Sequence, residues 1–205
     1  MSSSRRGKRR GRPPEFHLSA NGRVRGIRYI ASPNCDERPA GVAVELVVIH
    51  AISLPPGEFG GPGIIELFTN RLNPAEHPYY ATIAGSAVSS HFLIRRDGEL
   101  IQFVPCGKRA WHAGVSSWCA RERCNDFSVG IELEGADDVP FERPQYTVLA
   151  ALTRALKAIY PIAGIAGHSD IAPGRKTDPG PHFDWARYRA LLETASFVDS
   201  RRAER

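Results

Sequence analysis

The run Glu45-Leu-Val-Val-Ile-His50 is the feature that most constrains what this chain can become. Four apolar residues in a row, three of them β-branched, read as a strand buried inside a sheet. The run ends on a histidine, and a polar ring at the end of a buried strand needs a reason. The next segment, Ser53-Leu-Pro-Pro-Gly-Glu-Phe-Gly-Gly-Pro-Gly63, is too rich in Gly and Pro for regular structure and reads as a loop of functional length.

Other elements follow from the same kind of pattern. Short helices are expected around residues 63–71 and 75–84. A hairpin is expected from Val88–Arg95 and Leu100–Val104, joined through Asp97-Gly98, a dipeptide favoured in tight primed turns. Phe127–Glu134 alternates Phe127, Val129, Ile131 and Leu133 against Ser128, Gly130, Glu132 and Glu134, so one face of that strand enters the core. Whether the other face meets a cleft or water is open from periodicity alone. Between Pro144 and Tyr160, Leu149, Leu152, Leu156 and Ile159 recur at helical spacing, and Pro161 ends the pattern. Ile162–Gly167 reads as a short strand, so His168 also stands at a strand end. A last helix is expected from Asp184, its N-cap, carrying Trp185, Tyr188, Leu191 and Leu192.

A chain of 205 residues with 42% hydrophobic content supports one well-buried core. The net charge of +5 suggests nucleic acid until its placement is noticed: Arg5, Arg6, Lys8, Arg9, Arg10 and Arg12 precede any acid. Removing those six charges from +5 leaves the rest of the chain at −1. The expectation is a disordered basic tail over residues 1–15, a folded domain over 16–196 and a flexible C-terminal tail over 197–205, with no nucleic-acid partner. No apolar run is long enough to span a membrane, and no signal peptide is evident, so a cytoplasmic monomer is expected. Cys35, Cys106, Cys119 and Cys124 form no Cys-x-x-Cys pair and are expected to be reduced.

The loop Gly167–Trp185 holds His168 and, ten residues on, Asp178. With His50 these make two imidazoles and a carboxylate, a set that a catalytic Zn²⁺ takes as three ligands. The set spans 118 positions between the histidines in a chain with seven of them, so spacing alone leaves a metal site and a coincidence both open.

A resemblance carries the reading further. Leu46-Val-Val-Ile-His50, Ile94-Arg-Arg-Asp-Gly98, Lys108-Arg-Ala-Trp-His-Ala-Gly-Val-Ser116, Arg121-Glu-Arg-Cys-Asn-Asp-Phe127, Gly130-Ile-Glu-Leu-Glu-Gly135 and Arg175-Lys-Thr-Asp-Pro-Gly180 occur in one consistent order. Together they resemble the AmpD-type 1,6-anhydro-N-acetylmuramoyl-L-alanine amidases of bacterial cell-wall recycling. The resemblance implies an α+β fold, a central mixed sheet flanked by helices, shared with phage lysozyme-like amidases and peptidoglycan recognition proteins. It implies one Zn²⁺ per chain on His50, His168 and Asp178, with Glu132 as acid/base and Lys176 as the group that stabilises the oxyanion. It also implies an anhydromuropeptide substrate. By its chemistry Trp111 suits a wall for the sugar and equally suits core packing, and the Arg123 guanidinium suits a fork for stem-peptide carboxylates, with a surface role as the other reading. His91, His112 and His182 fall on non-ligand positions and are expected to be structural.

The chain departs from the family at Ala51, where relatives carry asparagine, and at Gly174, where a glutamate is common. Two alternatives remain at this stage: an amidase acting on intact peptidoglycan, and a peptidoglycan-binding module without catalysis. The second is disfavoured because all three ligand positions and both acid/base positions are filled.

Overall fold

The structure, a computed structural model, describes residues 14–200, backbone only from 195. The basic tail expected over 1–15 therefore lies outside the described residues apart from Pro14 and Glu15.

The buried run becomes β3 (Leu46–Ile52), and its residues from Leu46 to His50 are almost wholly shielded from solvent. It is an interior strand of a six-stranded sheet. On one side it pairs in parallel with β9 (Ser128–Glu134), on the other with β10 (Gly164–Gly167). Beyond β9 come β4 (Phe92–Ile94), parallel to it, then β5 (Leu100–Gln102), antiparallel to β4, and finally β1 (Arg28–Tyr29), parallel to β5. The sheet is thus mixed. Two small antiparallel ribbons accompany it, β2 (Cys35–Glu37) with β6 (Lys108–Ala110) and β7 (Ser117–Trp118) with β8 (Arg121–Glu122).

Alternation along the strands builds two unlike faces. Val47, Ile49, Val129, Ile131 and Leu133 face one side and pack under α3 (Arg143–Lys157) and α5 (Trp185–Ser200), where Leu149, Leu152, Leu156 and Tyr188 meet them. These leucines are fully buried, so truncating one to alanine is expected to cost about 2–5 kcal/mol. The opposite face carries two smaller apolar clusters. One lies under α1 (Gly63–Phe68) and α2 (Pro78–Thr82) and includes Ile64, Phe68, Tyr80, Leu93 and Ile101. The other gathers Leu46, Val48, Phe127, Ala166 and Ile171. The architecture is α+β, as expected, with helices on both faces.

Helix ends follow from local chemistry. The Glu142 N–H donates to the Gln145 side chain at the start of α3, and Asp184 caps α5 by accepting the Arg187 N–H at 2.9 Å. α5 continues through Ser200, so residues 197–200, read as tail, are helical, while 201–205 lie outside the described residues.

Three local expectations need correction. Ile159 is 57% exposed because α3 ends before it; Tyr160 precedes Pro161, a position where helical backbone is disfavoured. Val88 lies before β4 and is exposed. The hairpin turn is a three-residue loop: the Gly98 N–H donates to the Arg95 carbonyl, and Gly98 then takes φ +93° so that the Arg95 N–H can reach the Glu99 carbonyl. Four cysteines are free thiols, as expected.

Candidate active site

His50, Glu132 and His168 come together through strand register. His50 pairs with Glu132 across β3 and β9, while Ile49 pairs with Gly167 across β3 and β10, which places His168 beside His50. Parallel neighbours in the order β10, β3, β9 therefore line up two imidazoles and a carboxylate at the carboxyl ends of their strands. Such edges are where open α/β sheets hold ligands. His168 opens the short helix α4 (His168–Ile171), whose first turn is pinned by Asp170 accepting the Gly167 N–H at 2.7 Å. Asp170 is thus a cap that places His168.

The loop after α4 brings Asp178 back to the two histidines. His50 Nδ1 lies 3.0 Å from His168 Nδ1 and 3.2 Å from Asp178 Oδ2, and His168 Nδ1 lies 3.1 Å from the same oxygen. All three candidate ligand atoms fall within 4.8 Å of one another. The other nitrogen of His168, Nε2, is 3.2 Å from the Ala113 carbonyl, which can only accept. The Nε2 proton therefore belongs to that bond, and Nδ1 turns a lone pair towards a carboxylate that also only accepts. Two acceptors at 3.1 Å with no hydrogen between them are an arrangement that a cation resolves. Two imidazoles and a carboxylate suit Zn²⁺.

The electrostatics divide the groups by role. Burial pushes His50 down to about 4, so its ring is neutral at neutral pH. Burial, and after it the charge of Asp178, pushes Glu132 well above the usual carboxylate range, while Lys176 pulls it back. Glu132 is 8% exposed, its Oε1 lies 4.0 Å from His50 Nδ1, and its Oε2 is buried without a hydrogen-bond partner. Lys176 is exposed, with its backbone N–H bonded to the Ala172 carbonyl.

Arg123 is exposed, takes a left-handed backbone (φ 62°) and pairs with Asp126 at 3.1 Å. With Ser116, Pro173 and Arg175 it lines an open cavity of about 530 Å³ next to the ligand loop. Trp111 is half-buried; its backbone N–H donates to the Ser89 hydroxyl, and its side chain helps hold Asp36 below the usual carboxylate range after Arg109 and against burial. His182 is exposed. His91 is structural: its Nδ1 accepts the Gly130 N–H and its Nε2 donates to the Lys108 carbonyl. Ala51 packs its methyl towards the α3 side of the sheet, so the departure at that position faces the core. Glu134, on the same face as Glu132, is buried and receives Arg95, the Gly60 N–H and the Arg96 N–H, which ties it to the Gly/Pro loop.

His112 is the residue whose place the sequence did not reveal. Its Nδ1 lies 2.9 Å from His50 Nε2 and its Nε2 lies 3.2 Å from the Ser128 hydroxyl. The ring fits only because Gly130 has no side chain: a Cβ there would come within 2.5 Å of the His112 Cγ. Burial, then the imidazoles of His50, His91 and His168, push His112 well below the usual histidine range. A glycine on the strand face it shares with Ser128 and Glu132 was the one available signal, and it points to a close approach without saying of what.

Comparisons with known proteins give the family. Residues 40–181 match the family model described as N-acetylmuramoyl-L-alanine amidase. The 1,6-anhydro-N-acetylmuramyl-L-alanine amidase AmpD of Escherichia coli is 57% identical over 177 residues, covering 85% of this chain and 97% of that protein. A crystal structure of a selenomethionine AmpD derivative superposes with a TM-score of 0.83 at 58% identity, covering 85% of this chain and 98% of that one. The amidase AmiD of E. coli, in a complex with the substrate anhydro-N-acetylmuramic acid-L-Ala-D-γ-Glu-L-Lys, gives a TM-score of 0.55 at 30% identity, covering 76% of this chain and 60% of that one. The chain belongs to the N-acetylmuramoyl-L-alanine amidase family, and its relatives there include AmpD proteins.

Proposed function

We propose that this chain is a zinc-dependent amidase that cleaves the bond between the lactyl group of 1,6-anhydro-N-acetylmuramic acid and the L-alanine of the stem peptide. The observation that carries the reading is the convergence of His50 Nδ1, His168 Nδ1 and Asp178 Oδ2, with a buried, unpartnered Glu132 oxygen beside them. Zn²⁺ held there by His50, His168 and Asp178 would supply a Lewis acid for the amide carbonyl and lower the pKa of a water towards neutrality. Glu132, raised in pKa by burial, takes a proton from the attacking water and delivers it to the departing alanine nitrogen. Lys176, whose charge already acts on both Glu132 and His50, steadies the negative charge that develops on the carbonyl oxygen. The water oxygen ends on the lactyl carbon and its two protons are shared between the new acid and the freed amine. Arg123 and Trp111 are assigned to the stem peptide and the sugar.

The high identity to AmpD supports the anhydro sugar over intact wall, and with it a place among the cytoplasmic enzymes that recycle wall fragments. Among the described residues no helix is long and apolar enough to cross a membrane. Hydrolysis of anhydromuramyl tripeptide should be compared with that of intact peptidoglycan, with and without a chelator. Rapid release of the tripeptide, abolished by chelation and restored by Zn²⁺, is the expected result. Undiminished activity without metal would remove zinc from the mechanism, and equal turnover of polymer would remove the anhydro specificity.

A further inference from the structure

The hydrogen bonds behind the two candidate ligand histidines converge on one dipeptide. His168 Nε2 meets the Ala113 carbonyl, and His50 Nε2 meets His112 Nδ1. The proton positions along the second contact follow from its far end. The Ser128 hydroxyl has one hydrogen, and it lies in reach of the Cys124 carbonyl, which can only accept. Ser128 Oγ must then accept from His112 Nε2 at 3.2 Å, so the His112 proton sits on Nε2. Its Nδ1 is left with a lone pair, which accepts the proton on His50 Nε2. His50 Nδ1 is therefore bare. The same holds for His168 through the Ala113 carbonyl.

The dipeptide is itself anchored. Both of its backbone N–H groups donate to one atom, Asn125 Oδ1, at 3.1 and 2.8 Å. Arg175, in the ligand loop, donates to the Ala113 and Val115 carbonyls at 2.7 and 2.6 Å, so the loop that carries Asp178 is clamped to the segment that orients the histidines. Gly130 supplies the space in which the His112 ring lies.

We propose that His112-Ala113 is the positioning element of the metal site, holding both imidazoles in the Nε2–H tautomer so that both Nδ1 lone pairs face Asp178. His112 does this through its ring and Ala113 through its carbonyl. Neither touches the reacting atoms. The role differs from that of a buried space-filling histidine, since it requires an acceptor at the Nδ1 position. Partners of this kind behind a metal-binding imidazole fix its orientation and its proton, and losing one typically weakens metal binding by about 10–100-fold. The proposal rests on the zinc-amidase reading above, but the tautomers are also defined in the metal-free protein.

The test is ¹⁵N-imidazole correlation spectroscopy on the full chain, metal-free and with one equivalent of Zn²⁺, together with Zn²⁺ affinity from chelator competition. In the wild type, His50, His112 and His168 should each appear as the Nε2–H tautomer in the metal-free protein. His112→Phe, which keeps a ring without an acceptor, should lose the single His50 tautomer and weaken Zn²⁺ binding by about 10–100-fold. His112→Asn places an acceptor on the same Cγ and should recover most of that affinity, a rescue that packing alone would not give. Where His112→Phe does not fold, Ser128→Ala serves: without its acceptor the His112 proton should distribute over both nitrogens and the His50 signals should follow. An Nδ1–H tautomer for His112 in the wild type overturns the proposal, as does wild-type Zn²⁺ affinity in His112→Phe or a His112→Asn variant no tighter than it. If the wild type binds no Zn²⁺ while the three tautomers are as stated, the zinc reading fails and the orienting role of the dipeptide stands.

Discussion

Glu132 and His50 stand opposite each other on neighbouring parallel strands, with a carboxylate oxygen 4.0 Å from an imidazole nitrogen and the second oxygen buried without a partner. On the proposed function, a carboxyl kept this dry and this close to a candidate metal-binding ring is equipped to pass a proton. Glu132→Gln, which keeps the shape and loses the proton exchange, should lower kcat by about 10²–10⁴-fold while leaving zinc content near one per chain. Steady-state kinetics beside metal analysis separates this outcome from simple loss of the metal.

Asp178 approaches both candidate ligand histidines, His50 and His168, within 3.2 Å. Asp178→Ala should therefore release zinc during dialysis that the wild type survives, with circular dichroism little changed because the strands that carry His50 and His168 are set by register. Undiminished zinc content would show that the third ligand lies elsewhere.

Lys176 is exposed and two residues before Asp178, so its removal disturbs little packing. Lys176→Ala should reduce kcat by about 10²–10³-fold with KM and thermal stability close to wild type. A change confined to KM would make it a substrate-binding residue instead.

His91 is fully buried, and burial followed by the Arg38 charge lowers it to about 3. The native state then binds fewer protons than the unfolded state between that value and the ordinary histidine range near 6.5. Its contribution is complete above pH 6.5 and drains away as pH falls towards 3, with a limiting slope of about 1.4 kcal/mol per pH unit. Urea unfolding of the metal-free protein between pH 4 and 7 should show a shallower pH dependence for His91→Gln than for the wild type; parallel curves would assign the slope to other groups.

Arg95 and Glu134 form a buried pair that also holds the Gly60 N–H and the Gly61 carbonyl. Glu134→Leu strands the arginine charge and should cost about 3–5 kcal/mol in urea unfolding. Replacing both partners with apolar residues should recover part of that loss, whereas an additive second loss would mean that the two charges do not act as a pair.

What was legible in the sequence is what local chemistry writes there. Leu46–Ile49 declared an interior strand because β-branched apolar residues have few other uses at that density, and the histidines after it and after Gly167 stood out against that background. Resemblance to a family, not spacing, joined them to Asp178. The face of Glu132 was undecidable from alternation, since a period of two says which residues share a side and not what covers it. Register decided it, by setting Glu132 against His50 and leaving Glu134 to Arg95. His112 looked structural because its contacts join residues 112, 128 and 130, and the alternation that puts Ser128 and Gly130 on one strand face does not say which ring lies against it. Ile159 misled for the opposite reason: the helical spacing continued past the point where the backbone before Pro161 could follow it.

The order of strands has a consequence for how firmly the domain is closed. β10 is the outermost strand on its side of the sheet, yet it leads directly into His168 and the loop that returns Asp178, while His50 belongs to the interior strand beside it. A cation shared by these three side chains would rivet a rim to a frame. Its departure would loosen the last-synthesised strand first, so the amide hydrogens of Gly164–Gly167 would serve as a gauge of whether the site is filled.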